Sequence, residues 1–267
     1  MNSSTIDIEL WRLACAYIFI LLLLVFVKWR GMKREKKIWI ATIRMTIQLI
    51  LVGYILTYIF ERPHPMLTIF VILVMETFAI YNIYKQIHMP IHKKLKQIIA
   101  FSMFSGSIIT LLYFNFIVIH FKPWYNPQYF IPIAGMIIGN SMTGITLGMK
   151  TLLEGFYHQK NTIEGALMLG AKPDVATKSI INSSFDAAIL PTINSMVGMG
   201  IVFLPGMMTG QILSGTSPLI AIEYQIAVLL GIAGSVGITV FLALHLGYRT
   251  FFNERVQLIY SSERNLS

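Results

Sequence analysis

At 267 residues the chain is 55% hydrophobic and only 12% charged, with a mean hydropathy of +0.68. Soluble domains carry about 25% charged residues, so the composition excludes an ordinary globular enzyme and implies an all-α polytopic membrane protein. The single cysteine, Cys15, excludes an intrachain disulfide and a cysteine zinc site. The formal charge of +9 needs no nucleic-acid partner once its distribution along the chain is read.

About twenty apolar residues cross a bilayer. Seven spans are expected, at 8–27, 38–60, 65–84, 98–120, 129–149, 184–212 and 218–248. The first is an anchor, because Asp7 and Glu9 precede it and "KWRGMKREKK" follows it, the reverse of a signal peptide. Seventeen of the 21 lysines and arginines fall in 28–37, 85–97, 150–183 and the tail from 249, whereas the intervening loops hold Arg62 and Lys122. Alternating seven spans puts all four basic segments on one side. The bias of Lys and Arg toward cytoplasmic loops makes that side the cytoplasm, with the N-terminus outside and the C-terminus inside. Trp124, Tyr125 and Tyr129 then fit an outer aromatic belt, and Trp29 and Trp39 an inner one. The whole of 1–267 reads as a single transmembrane domain of a multi-pass cell-membrane protein, surrounded by lipid, with its longest cytoplasmic segment at about 150–183.

Charge inside a membrane is costly. Arg44 and Glu76 sit at matching depths in spans two and three, which allows a buried ion pair; equally, Arg44 snorkels to the interface while Glu76 lines a path. Asp186 is expected in the first turn of span six, where a helix dipole favours a carboxylate, and Glu223 follows the Ser217–Pro218 start of span seven. His88 and His92 are four apart but flank Pro90 in a basic loop, and are expected to be solvated.

In "NTIEGALMLGAKPD", Asn161 and Glu164 have capping-box spacing. Ile163, Ala166, Leu167 and Gly170 form one helical stripe, Gly170 can end the helix, and Pro173 can start the next, followed by Asp174. This short amphipathic helix either rests on lipid or serves as a docking knob for a cytosolic partner.

The stretch "PTINSMVGMGIVFLPGMMTGQ" (191–211) places two prolines and several glycines at membrane depth. Such breaks are tolerated where protein or a water-filled cavity satisfies the backbone. Span six is therefore expected to bend or break near 204–206, with Asn194, Pro205, Gly206 and Gln211 forming a gate. Asn140 is expected to face the same path, and Met199, Met207 and Met208 to line or pack it. Thioethers suit Cu(I) better than iron, so the methionines assign no metal. No phosphate-binding loop, G-x-S-x-G or H-E-x-x-H occurs, so a catalytic reading finds no residues to stand on.

"EGALMLGA" resembles the EAA loop of ABC-transporter permeases. Glu164, Ala166, Gly170 and Ile180 match that pattern, while Gly165 replaces its first alanine and Asn182–Ser183 its Leu-Pro. Together with "PIAGMIIGNSMTG", "LPTINSM", "LPGMMTGQI" and "YQI", it makes nearly the full length similar to the FetB family of iron-export ABC permeases. The resemblance implies a homodimeric permease whose ATP is used by a separate cytosolic ATPase subunit, with no covalent cofactor and a link to iron efflux and oxidative-stress resistance. It also implies an ATPase contact at Glu164, Gly165, Ala166, Gly170 and Ala171. Two alternatives stay open: an ABC exporter of another substrate such as a nucleotide sugar, and a proton-coupled secondary transporter using Glu76 and Glu223.

Overall fold

The computed structural model describes residues 8–259; Asp7 and Arg264 lie outside them. The helices are α1 (Leu10–Ala16), α2 (Ile18–Trp29), α3 (Glu35–Glu61), α4 (Pro65–Gln86), α5 (Lys93–Tyr113), α6 (Pro127–His158), α7 (Lys160–Met168), α8 (Pro173–Ala176), α9 (Lys178–Gly198), α10 (Gly206–Leu213) and α11 (Pro218–Gly247). A π-helical turn (Phe114–Ile119) extends α5, and a 3-10 turn (Tyr248–Phe251) extends α11. Among the described residues there is no strand, only the bridges Met199–Phe203 and Phe252–Leu258. The protein is an all-α polytopic membrane protein.

Proline in the first turn, where its missing N–H costs nothing, starts α4, α6, α8 and α11. His64 and Asn126 add side-chain caps, accepting from the N–H groups of Met66 (3.3 Å) and Gln128 (3.1 Å). Six helical stretches among the described residues are long and apolar enough to cross a membrane: Leu10–Trp29, Glu35–Glu61, Pro65–Gln86, Lys93–Ile119, Pro127–His158 and Pro218–Phe251. The expected span at 184–212 is not one of them. In its place α9 ends at Gly198, the chain is non-helical over 199–205, and α10 is a short separate helix.

Helix directions show that α9 nevertheless crosses the bundle. Met75 lies against Gly135, and Asn82 meets Met142, so α4 and α6 run parallel. Ser141 meets Ser235, and Met149 lies against Gly247, so α6 and α11 are parallel too. By contrast α5 runs antiparallel to α11 (Phe114 on Gly231, Leu95 on Gly247), and α9 antiparallel to α6 (Ala188 on Gly144, Ile180 on Gly155). Since α6 and α11 start at the same end, the chain between them must return, and α9 does so. Its 21 residues reach about 32 Å. Lys178, Asn182, Asp186 and Asn194 make it less apolar than the other six.

One end of the bundle collects the basic segments. Phe251 stacks on Phe156 at 4.2 Å and meets the His92 ring edge-on at 6.1 Å, which joins the tail, the end of α6 and the α4–α5 loop. His92 is thus half-buried rather than solvated, while His88 is exposed. At the opposite end, rings of Phe121 and Tyr129 (5.4 Å), Trp124 and Tyr125 (5.6 Å), and Tyr129 and Tyr224 (6.3 Å) gather where the aromatic belt was expected.

The core lies among α4, α5, α6, α9 and α11, built on buried Ile83, Ile99, Met103, Ile137, Met149 and Val240. Lipid is as apolar as leucine, so close contact and internal hydrogen bonds, not hydrophobicity, join such helices. A Cβ on Gly144 would lie 2.9 Å from Val236, and one on Gly148 3.1 Å from Ala188. Small residues on α6 thus let α9 and α11 approach. Buried hydroxyls complete the seam: Ser141 and Ser235 share a 2.9 Å hydrogen bond, and Thr239 donates to the Ser235 carbonyl at 2.8 Å. The helices α1 to α3 stand on the margin with nearly every side chain exposed, and are tied together by Tyr17 and Thr46 (2.6 Å).

Candidate functional site

At the basic end, α7 and α8 form an elbow whose shape follows from local rules. Only Gln159 separates α6 from α7, so α7 starts at Lys160 with Gln159 as its N-cap. The Asn161–Glu164 capping box therefore does not form. Asn161 already lies inside the helix, and Glu164 pairs with Lys160 at 3.7 Å. The other end is as expected. Gly170 takes φ +89°, its N–H donates to Leu167, and that of Ala171 donates to Ala166. These two bonds make a Schellman cap, which needs a residue free to adopt the left-handed region. Pro173 then opens α8.

The elbow turns its expected stripe inward. Ile163 is 1% exposed, and Leu167 packs on the core. Glu164, Gly165, Ala166 and Ala171 are half-buried and Gly170 is exposed. The outward apolar groups are Met168 (85% exposed), Leu169 (91%) and Val175 (61%). Sequence periodicity missed them because it finds the face that is buried. The available signal was two apolar residues directly before a helix-ending glycine.

The second site is the discontinuity. Pro191 does not interrupt α9; the helix runs through it to Gly198. The break lies at 199–205, earlier than expected, and its left-handed residue is Gly200 (φ +84°), not Gly206. Gly206 opens α10 behind the N-cap Pro205, and a Cβ there would meet nothing within 4 Å. Met208 is buried and Met207 packs on the core, while the Met199 sulfur accepts weakly from Gln225 Nε2 at 3.9 Å. Beside them the side-chain oxygens of Gln211, Tyr224 and Gln225 are buried without a hydrogen-bond partner. Asn140 and Asn194 lie deeper. The register set by Gly144 on Ala188 puts Asn140 level with 192–194, and both side chains are exposed. Asn140 donates back to Met136 at 2.7 Å. The structure thus brings Asn140 to the level of Asn194, places Pro205 to Gln211 beyond them toward the non-basic end, and separates both groups from the elbow.

Of the two arrangements expected for Arg44 and Glu76, the buried ion pair is the one that does not form, and Asp186 is not where it was expected. Arg44 is exposed, its guanidinium lying over the Phe78 ring at 5.2 Å. Glu76 is 1% exposed and accepts from Ser107 Oγ, with its second oxygen unpartnered. An arginine on the margin keeps its charge outside the bundle, while the carboxyl finds a hydroxyl inside it. Ser107 was legible only as one of several small polar residues in "FSMFSGS". Asp186 is not in a first turn: α9 begins at Lys178, which puts Asp186 more than two turns inside, beyond the reach of the N-terminal dipole.

The family model described as "Uncharacterised protein family (UPF0014)" matches residues 10–252. "Probable iron export permease protein FetB" from Escherichia coli is 33% identical over 259 residues, 97% of each chain. "UPF0014 membrane protein YjkA" from Bacillus subtilis is 33% identical over 250 residues, covering 92% of this chain and 96% of the relative. "Protein ALUMINUM SENSITIVE 3" from Arabidopsis thaliana is 31% identical over 254 residues, covering 94% and 91%. No solved structure matches significantly.

Proposed function

The chain belongs to the UPF0014 family of membrane proteins, and from that premise we propose that it is the permease subunit of an ABC transporter exporting iron. In this reading a separate cytosolic ATPase closes on the α7–α8 elbow. The chain has no phosphate-binding loop of its own, so hydrolysis must occur on another subunit. The observation that carries the reading is the elbow itself. It is anchored by Ile163, rigidly capped at Gly170, and presents Met168, Leu169 and Val175 to solvent at the basic end. Exposed apolar groups on a rigid projection suit burial in a partner's groove. The basic end is then the cytoplasm, and the N-terminus is outside. Two copies of the chain supply the two membrane halves. Closure of the ATPases is transmitted through α9, which follows α8 directly and ends at the 199–205 break.

The test is co-purification with the cognate ATPase and ATP-driven Fe²⁺ efflux from proteoliposomes. Met168→Asp with Leu169→Asp should lose the ATPase while leaving the permease folded; full retention and full efflux would overturn the docking role.

Glu76 favours a second reading, a proton-coupled transporter, since a buried carboxyl with one free oxygen can carry a proton. Efflux that persists without ATPase and collapses with the proton gradient would select it.

A further inference from the structure

We propose that the cavity between α9 and α11 at the basic end binds a divalent transition-metal cation through Asp186, Asn182 and His245. The inference rests on the metal-permease reading and locates its cargo. The cavity measures about 360 Å³, and these three side chains line it together with Phe185, Phe241 and Leu244. That is room for an ion with several waters, at about 30 Å³ each.

Asn182 and Asp186 are four residues apart and so share one face of α9, while His245 comes from the last turn of α11. Stacking on Phe241 (5.4 Å, 11° between planes) fixes the plane of the His245 ring. Asp186 lies more than two turns into α9, near the level of Gly148. Its carboxylate is exposed into the open groove, where a cation would stabilise it. Among the described residues no ion pair supplies one, not even with His245 across the same cavity. A carboxylate, an amide oxygen and an imidazole make an oxygen–nitrogen donor set suited to Fe²⁺ or Mn²⁺. The thioethers Met199 and Met208 sit beyond the opposite end of α9 and serve packing instead. Phe185, Phe241 and Leu244 form the apolar side of the groove beside these three groups. The position, one turn inward of the Lys150–Glu154 pair, suits a point of entry from the basic end.

Anaerobic titration of the purified full chain with Fe²⁺, and with Mn²⁺ followed by its EPR signal, tests this. One cation per chain is expected, with affinity reduced about tenfold or more by Asp186→Asn or His245→Gln, and abolished by the double variant. Both side chains are exposed, so the variants should fold, and an unchanged melting temperature checks that. Undiminished binding in the double variant, or no binding by the wild type, would overturn the site. So would a co-purifying phospholipid, seen by native mass spectrometry, that the variants lose while metal binding is unchanged. The permease reading fails separately, if efflux does not depend on the ATPase.

Discussion

Glu76 shows how a membrane interior treats a single charged residue. The carboxyl is held by Ser107, a group with no charge of its own, and the arginine at matching depth stays on the margin over Phe78. Ser107→Val should therefore strand the carboxyl. A melting curve in detergent should show a loss of about 1–3 kcal/mol, the usual cost of an orphaned buried polar group; Arg44→Leu should leave the same curve nearly unchanged. Gly170 is constrained by its backbone, since no neighbour lies within 4 Å of a Cβ there, yet φ is +89°. Gly170→Val should strain the Schellman cap by about 1–2 kcal/mol and reduce ATPase-coupled efflux more than insertion. Equal efflux from wild type and variant would show that the elbow tolerates a loosened cap.

At the scale of elements, α9 and its break decide most of the functional argument. The prolines at 191 and 205 are the conspicuous breakers in the sequence, but one is absorbed into α9 and the other caps α10. The chain turns at Gly200. Gly200→Val should consequently impair transport, while Gly206→Val, with open space around it, should be tolerated. The reverse ranking in a proteoliposome efflux assay would return the gate to Pro205–Gly206. Contact between α6 and α9 depends on small residues, so Gly148→Leu should force the helices apart at a cost of about 1–3 kcal/mol, visible as a lowered melting temperature.

For the whole molecule, the parallel run of α4, α6 and α11 requires an odd number of passes from α4 to the tail, with basic segments at one end. In a Cys15→Ser background, Ser214→Cys should label from outside intact cells and Glu254→Cys only after permeabilisation. Labelling of Glu254→Cys from outside would invert the topology and remove the elbow from any cytosolic ATPase. The marginal position of α1 to α3 adds that the five-helix core, not the N-terminal helices, carries the polar seam, and that the elbow and the 199–205 break flank its α9.

By itself the sequence determined the all-α membrane class, six apolar spans to within a few residues at most of their ends, the clustering of basic residues and the glycine-ended elbow. These depend on signals local in the chain: run length, charge bias, and the conformations that proline and glycine allow. The sequence also expected a crossing at 184–212; tertiary structure decided that α9 makes it over Lys178–Gly198 and stops at the 199–205 break, because that depends on which neighbours it packs against. It also decided that the elbow's stripe faces inward and leaves Met168 and Leu169 outside, and that Glu76 meets Ser107 rather than Arg44. Asp186 and His245, 59 positions apart, line one cavity only because α9 and α11 lie side by side. Such pairings arise from helix register and packing, which no local pattern encodes.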